Sequence, residues 1–176
     1  SVARLHVDEL NILEKVLGFI GKSPVEDINY SCISRNIGIS KYKAEAYLKL
    51  FEQAFILNIV FPAGTNVLKE PKIVMCLPWR LLYKEYSRAI GALREDFFVE
   101  TMRMKNFPMH YLKSKRGAKT PDFLITIENE DCIIEVGGKG KGREQFKGIS
   151  LEKKIIFTHP SVSQGIKRPL FLLGFV

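Results

Sequence analysis

The chain has 176 residues, a formal net charge of +8 and a sequence pI near 9.4, with 46 % hydrophobic and 26 % charged residues. That is room for one medium domain or two small ones with a real core. It excludes a low-complexity chain, and the positive balance favours acidic partners, nucleic acid first. The three cysteines, Cys32, Cys76 and Cys132, are scattered and form no CxxC pair. Neither a disulfide framework nor a structural zinc site is expected, which fits a reducing, cytoplasmic setting. His6, His110 and His159 are equally dispersed. No apolar run approaches the roughly 20 residues that cross a bilayer, so no membrane partner is expected. The N-terminus has no signal-peptide pattern and starts abruptly at the approach to a helix, as a piece of a longer chain would.

The first helix is predicted over 8–20, where Leu10, Leu13, Val16, Leu17 and Ile20 recur at helical spacing. Gly21 and Ser23-Pro24 end it. A short helix over 31–37 stops at Gly38. Ser40 is a suitable N-cap for a longer helix over 41–54, with Ala44, Tyr47, Leu48 and Phe51 on one face. Strands are predicted over 55–61 and 72–76, with a turn-rich stretch between them. Helix, short helix, glycine turn, longer helix and two strands is the winged helix-turn-helix order. Residues 78–105 read as helical with a break near Gly91. The domain boundary is placed between Leu82 and Gly91, giving 1–86 and 87–176.

The second half changes texture. Strands are predicted over 109–112, 121–127, 132–136, 154–158 and 170–176, with a short helix at 144–150. Asp122 and Glu135 fall on adjacent predicted strands, 13 residues apart. Two converging carboxylates can hold a divalent cation such as Mg2+ through oxygen ligands, and such an ion activates water against a phosphate. Glu95, on the preceding helix, is a candidate third acid. The alternative reading is that Asp122 caps a turn and Glu135 ends an exposed strand.

Glycine and lysine alternate over 137–143, GGKGKGR, without the spacing of a nucleotide-binding loop. Gly21-Lys22-Ser23 likewise lacks the upstream glycine and strand. Between 101 and 154 stand twelve basic and seven acidic residues. Lys113, Lys115, Arg116, Lys141 and Arg143 are therefore candidate phosphate contacts, as are Lys41, Lys43 and Lys49 on the helix over 41–54. That helix also carries Glu45 and Glu52 and has no arginine, which weakens base readout. A solvated basic surface is the alternative.

A helix bearing Glu95, then Pro121-Asp122, then Glu135-Val136-X resembles the PD-(D/E)XK nuclease pattern. In that family the Asp and Glu bind magnesium, and a Lys two residues after the Glu orients the attacking water. Gly137 stands in the lysine's place, and Lys139, two residues further on, is the expected substitute. The chain as a whole resembles the C-terminal region of archaeal- and bacterial-type AAA-superfamily ATPases that carry the domain of unknown function 4143. The residues are Ile39-Ser40-Lys41 through Tyr47-Leu48, Leu50-Phe51-Glu52, Phe55-Ile56-Leu57, Lys72-Ile73, Gly91-Ala92-Leu93-Arg94-Glu95, Tyr111 with Pro121-Asp122-Phe123, and Ile134-Glu135-Val136-Gly137-Gly138-Lys139. The resemblance implies a winged helix followed by a restriction-endonuclease-like mixed-sheet domain, of α+β or α/β class. It implies a parent ATPase whose ATP site lies in an N-terminal part that this chain lacks. Three functions follow as expectations: a non-catalytic module binding DNA, a protein partner or its own ATPase part, with Glu95, Asp122, Glu135 and Lys139 vestigial; an active metal-dependent nuclease; or a winged-helix transcription regulator.

Overall fold

A computed structural model describes residues 7–25, 28–64, 70–112 and 120–175. The fold is mixed α+β. Helices α1 (Val7–Lys22), α2 (Tyr30–Ile37) and α3 (Lys41–Gln53) come first, then strands β1 (Leu57–Val60) and β2 (Lys72–Met75). A 3-10 turn at Trp79–Leu82 leads into α4 (Tyr86–Met104). Five strands follow: β3 (Met109–Tyr111), β4 (Phe123–Ile127), β5 (Glu130–Gly137), β6 (Lys154–Thr158) and β7 (Lys167–Pro169).

The boundaries of the small helices have local causes. The Asn29 side chain accepts the Cys32 N–H at 2.8 Å and starts α2. Gly38, with φ +77°, ends it in the left-handed region that a side chain disfavours. Ser40 then caps α3 by accepting the Lys43 N–H at 3.1 Å. Ala44, Tyr47, Leu48 and Phe51 turn inward on α3, as their spacing predicts, and join Val16, Ile20 and Ile33 in the first core.

Strands β1 and β2 pair antiparallel, with Leu57 opposite Met75 and Ile59 opposite Ile73. Side chains alternate between faces of a strand. Leu57, Ile59, Ile73 and Met75 therefore enter the helical core, while Val60 and Val74 enter a second core with Phe98, Val99, Phe123 and Ile134. The two-stranded sheet is thus buried on both faces, and the apolar packing runs across the boundary placed between Leu82 and Gly91.

The larger sheet has the order β3-β4-β5-β6-β7. The β3–β4 and β4–β5 pairs are antiparallel; the β5–β6 and β6–β7 pairs are parallel. Glu128 and Asn129, both at positive φ, make the tight turn between β4 and β5. The hairpin is therefore longer than its apolar run suggests. Phe61 and Ala63, just past β1, exchange backbone hydrogen bonds with Tyr111 of β3, which ties the small sheet to the large one.

Three expectations are corrected. Helix α4 runs unbroken through Gly91, because its Ala89, Phe98, Val99 and Met102 bury a continuous stripe. The short helix at 144–150 is a single 3-10 turn, Arg143–Phe146, held by Phe146 in a small third core with Ile133 and Ile156. Residues 170–175 are a 3-10 segment, not a strand; the edge strand is Lys167–Pro169, paired to β6. Leu170 and Leu173 pack into the core beneath α4 while Phe171 and Leu172 stay exposed, and none of the four enters a ladder.

Candidate functional site

Asp122 precedes β4 and Glu135 lies in β5. The register pairs Phe123 with Ile134, which places Asp122 directly opposite Glu135. Residues directly opposite on paired strands share a face. The Val136 N–H donates to Asp122 Oδ2 at 2.8 Å, which pins the carboxylate against β5. Glu135 is the more deeply set, with its side chain 1 % exposed. Its Oε1 forms an ion pair with Lys141 Nζ, and its Oε2 has no hydrogen-bond partner among the described residues.

The lysine on Glu135 is Lys141, where Lys139 was expected. Lys139 is exposed, and its backbone carbonyl accepts from Lys167 Nζ at 3.1 Å. The loop reverses at Gly138–Lys141, with the Lys141 N–H bonded to the Gly138 carbonyl at 3.1 Å. That reversal carries the Lys141 stem back over Gly137. A β-carbon at Gly137 would meet Lys141 Cγ at 2.6 Å and Cε at 2.8 Å. The Arg94 guanidinium of α4 lies against the neighbouring Gly138. Counting a fixed offset from Glu135 could not find Lys141; the available signal was a lysine in a glycine-rich segment able to fold back.

Glu95 and Lys72 complete the cluster. Their side chains form an ion pair, and each is 10 % exposed. Lys72 is the first residue of β2, and its ammonium lies 5.0 Å from the centre of the Phe123 ring. Sequence reasoning missed it because it stands in the first half, 50 positions before Asp122.

Burial pushes the Asp122 carboxyl up to about 6, and the charge of Glu135 adds to the rise against Lys72, the Val136 N–H and Lys141. Burial likewise raises Glu135, against the opposing Lys141 ammonium and with a further push from Glu95. Burial works against the charge on Lys141, yet its bond to Glu135 and the surrounding carboxylates outweigh that and raise its pKa. Asp122 and Lys72 open on a cleft of about 380 Å³, lined also by Asn29, Tyr111 and Thr120.

The carboxylates suit one hard cation of the magnesium type. Such an ion keeps most of its waters and uses one or two carboxylates. Asp122 and Glu135 supply that number, and the buried, unbonded Oε2 of Glu135 is an oxygen in want of a partner. Among the described residues no group of three or more His, Cys, Asp and Glu is placed to hold a metal.

The lysines of α3 are at least partly exposed, and each lies near a carboxylate. Lys41 pairs with Glu70, Lys43 with Glu9 at 3.9 Å and Lys49 with Glu45 at 2.8 Å. Each of these charges already faces a carboxylate. Arg143 is exposed at the start of its 3-10 turn. Lys113, Lys115 and Arg116 lie outside the described residues. Among the described residues no helix is long and apolar enough to cross a membrane. No family model, curated protein or solved structure matches this chain.

Proposed function

We propose that this chain acts on nucleic acid through a metal-dependent phosphodiester-cleaving site formed by Asp122, Glu135 and Lys141, with Glu95 in support. The reading takes the first half as a winged helix and the second as a restriction-endonuclease-like sheet. Its support is the order of elements: one long helix, three antiparallel strands, then a parallel strand, with the carboxylates at the ends of two paired strands. The observation that carries it is the Lys141 ammonium on Glu135, reached over a glycine that no larger residue could occupy without moving it.

Asp122 and Glu135 would hold Mg2+, which supplies an activated water and neutralises charge on the phosphate. Lys141 keeps a positive charge beside Glu135 and donates towards whatever oxygen enters there. Lys72 holds Glu95 in place and gives the cluster a second cation. The test is nicking of supercoiled plasmid with Mg2+ or Mn2+, using wild type, Glu135→Gln and Lys141→Met. Metal-dependent nicking that falls at least 100-fold in both variants is expected. No nicking by wild type, or nicking that survives Glu135→Gln, overturns the proposal.

A second reading has its own support. Glu135 is almost fully covered and already paired, which suits a closed, vestigial site in a module that binds DNA or a protein partner, including the ATPase part of a longer chain. A winged-helix regulator is the weaker version of it, since Lys41, Lys43 and Lys49 are all engaged with carboxylates.

A further inference from the structure

Lys72 is the one member of the carboxylate cluster that comes from the first half of the chain. It reaches the site because β2 is buried on both faces: Ile73 and Met75 enter the helical core, and the alternate positions, Lys72 and Val74, face the other way. Its side chain is 10 % exposed, paired with Glu95 and set over Phe123. An ammonium so far out of water is stabilised by neighbouring anions. Those anions are Glu95 by direct contact and, through space, Asp122 and Glu135, both of which feel its charge. Among the described residues the charged groups around the site are then Glu95 and Arg94 (α4), Asp122 (before β4), Glu135 (β5), Lys141 (the following loop) and Lys72 (β2), with Glu70, paired to Lys41, on the same cleft. Cations and carboxylates are therefore interleaved at the site, and Lys72 is the cation that β2 contributes.

We propose that Lys72 is a built-in counter-charge of the carboxylate site, which sets how weakly that site holds a divalent cation. The inference rests on reading Asp122 and Glu135 as cation ligands. A positive charge fixed beside two such ligands opposes a doubly charged ion across low-dielectric surroundings, where the interaction is strong. Its removal makes the cluster more negative by one charge. The small sheet is thereby part of the site's electrostatics, and the affinity of the second half for metal depends on a residue of the first.

The experiment is a calorimetric Mn2+ titration of the full chain without nucleic acid, for wild type, Lys72→Met, Lys72→Gln and Lys72→Arg. Circular dichroism establishes that each variant is folded, and Lys72→Gln serves if Lys72→Met does not fold. Neutralisation is expected to tighten Mn2+ binding by about tenfold, with Lys72→Arg within about twofold of wild type. Measurable binding that is unchanged or weaker in the neutral variants overturns the counter-charge role alone. Absence of Mn2+ binding in the wild type and in every neutral variant overturns the cation-site reading with it.

Discussion

The side chain of Lys141 lies across Gly137 so closely that a β-carbon there would come within 2.6 Å of its Cγ. The two residues are therefore a pair: the glycine makes room, and the lysine crosses that room to reach Glu135. Gly137→Ala meets Lys141 at Cγ, near the root of its stem, so the whole side chain must swing aside, at a cost of about 1 kcal/mol. The cost at the site is larger, because Lys141 is displaced from Glu135. Nicking is expected to fall about tenfold in Gly137→Ala, with the urea midpoint lowered only modestly. The double variant Gly137→Lys/Lys141→Ala, which puts the lysine in the position expected from the nuclease pattern, is expected to recover part of that loss. Equal activity of wild type and Gly137→Ala would show that the position of Lys141 is of no consequence.

Asp122 carries a stability cost that depends on pH. Burial and Glu135 push its carboxyl up to about 6, against an ordinary value of 3.8. Between those two values the folded chain keeps a proton that the unfolded chain has released. The contribution of Asp122 to unfolding free energy therefore falls as pH rises from about 4 to about 6 and stays flat above. Asp122→Asn removes this dependence and retains an oxygen for the Val136 N–H. Urea unfolding is expected to find the two proteins alike near pH 4 and the variant more stable by ~2–3 kcal/mol at pH 7. A variant less stable than wild type at pH 7 would contradict the burial of an ionised group at this position.

Arg80 and Asp96 form a charge pair in which both side chains are fully covered. Arg80 Nη2 donates to Asp96 Oδ1 at 2.8 Å, Nε pairs with Oδ2, and the Met75 N–H adds a bond to Oδ1 at 3.1 Å. Helix α4 is so joined to β2 and to the turn after it, which fixes Glu95, one residue before Asp96, next to Lys72. Arg80→Met leaves the carboxylate buried without its partner and is expected to cost about 3–5 kcal/mol in urea unfolding. Arg80→Met with Asp96→Leu removes both charges and is expected to recover most of that loss. A double variant as unstable as the single one would mean that packing, and not the charge pair, sets the cost.

Much of this was legible in the chain itself. The face of α3 followed from the spacing of Ala44, Tyr47, Leu48 and Phe51, and its start from Ser40, because helical periodicity and capping are local properties. The strand pair that bears Asp122 and Glu135 was readable from apolar runs around an acidic turn, and one register then set the two carboxylates opposite each other. Residues 170–175 were misread for the complementary reason. An apolar run states that it will be buried and not by what geometry, and packing against α4 decided that.

What the sequence determined alone is the first three helices, the strands β1 to β6 and the presence of two carboxylates on neighbouring strands, since each depends on residues a few positions apart. What only the tertiary structure decided is which cations meet them. Lys141 reaches Glu135 because a glycine-rich loop folds back, and Lys72 reaches Glu95 because a strand of the first half is buried on both faces. Charge acts through space over distances that have no counterpart in chain separation, so no local pattern could have named Lys72, and for Lys141 the glycine-rich segment signalled a fold-back without saying which lysine it delivers.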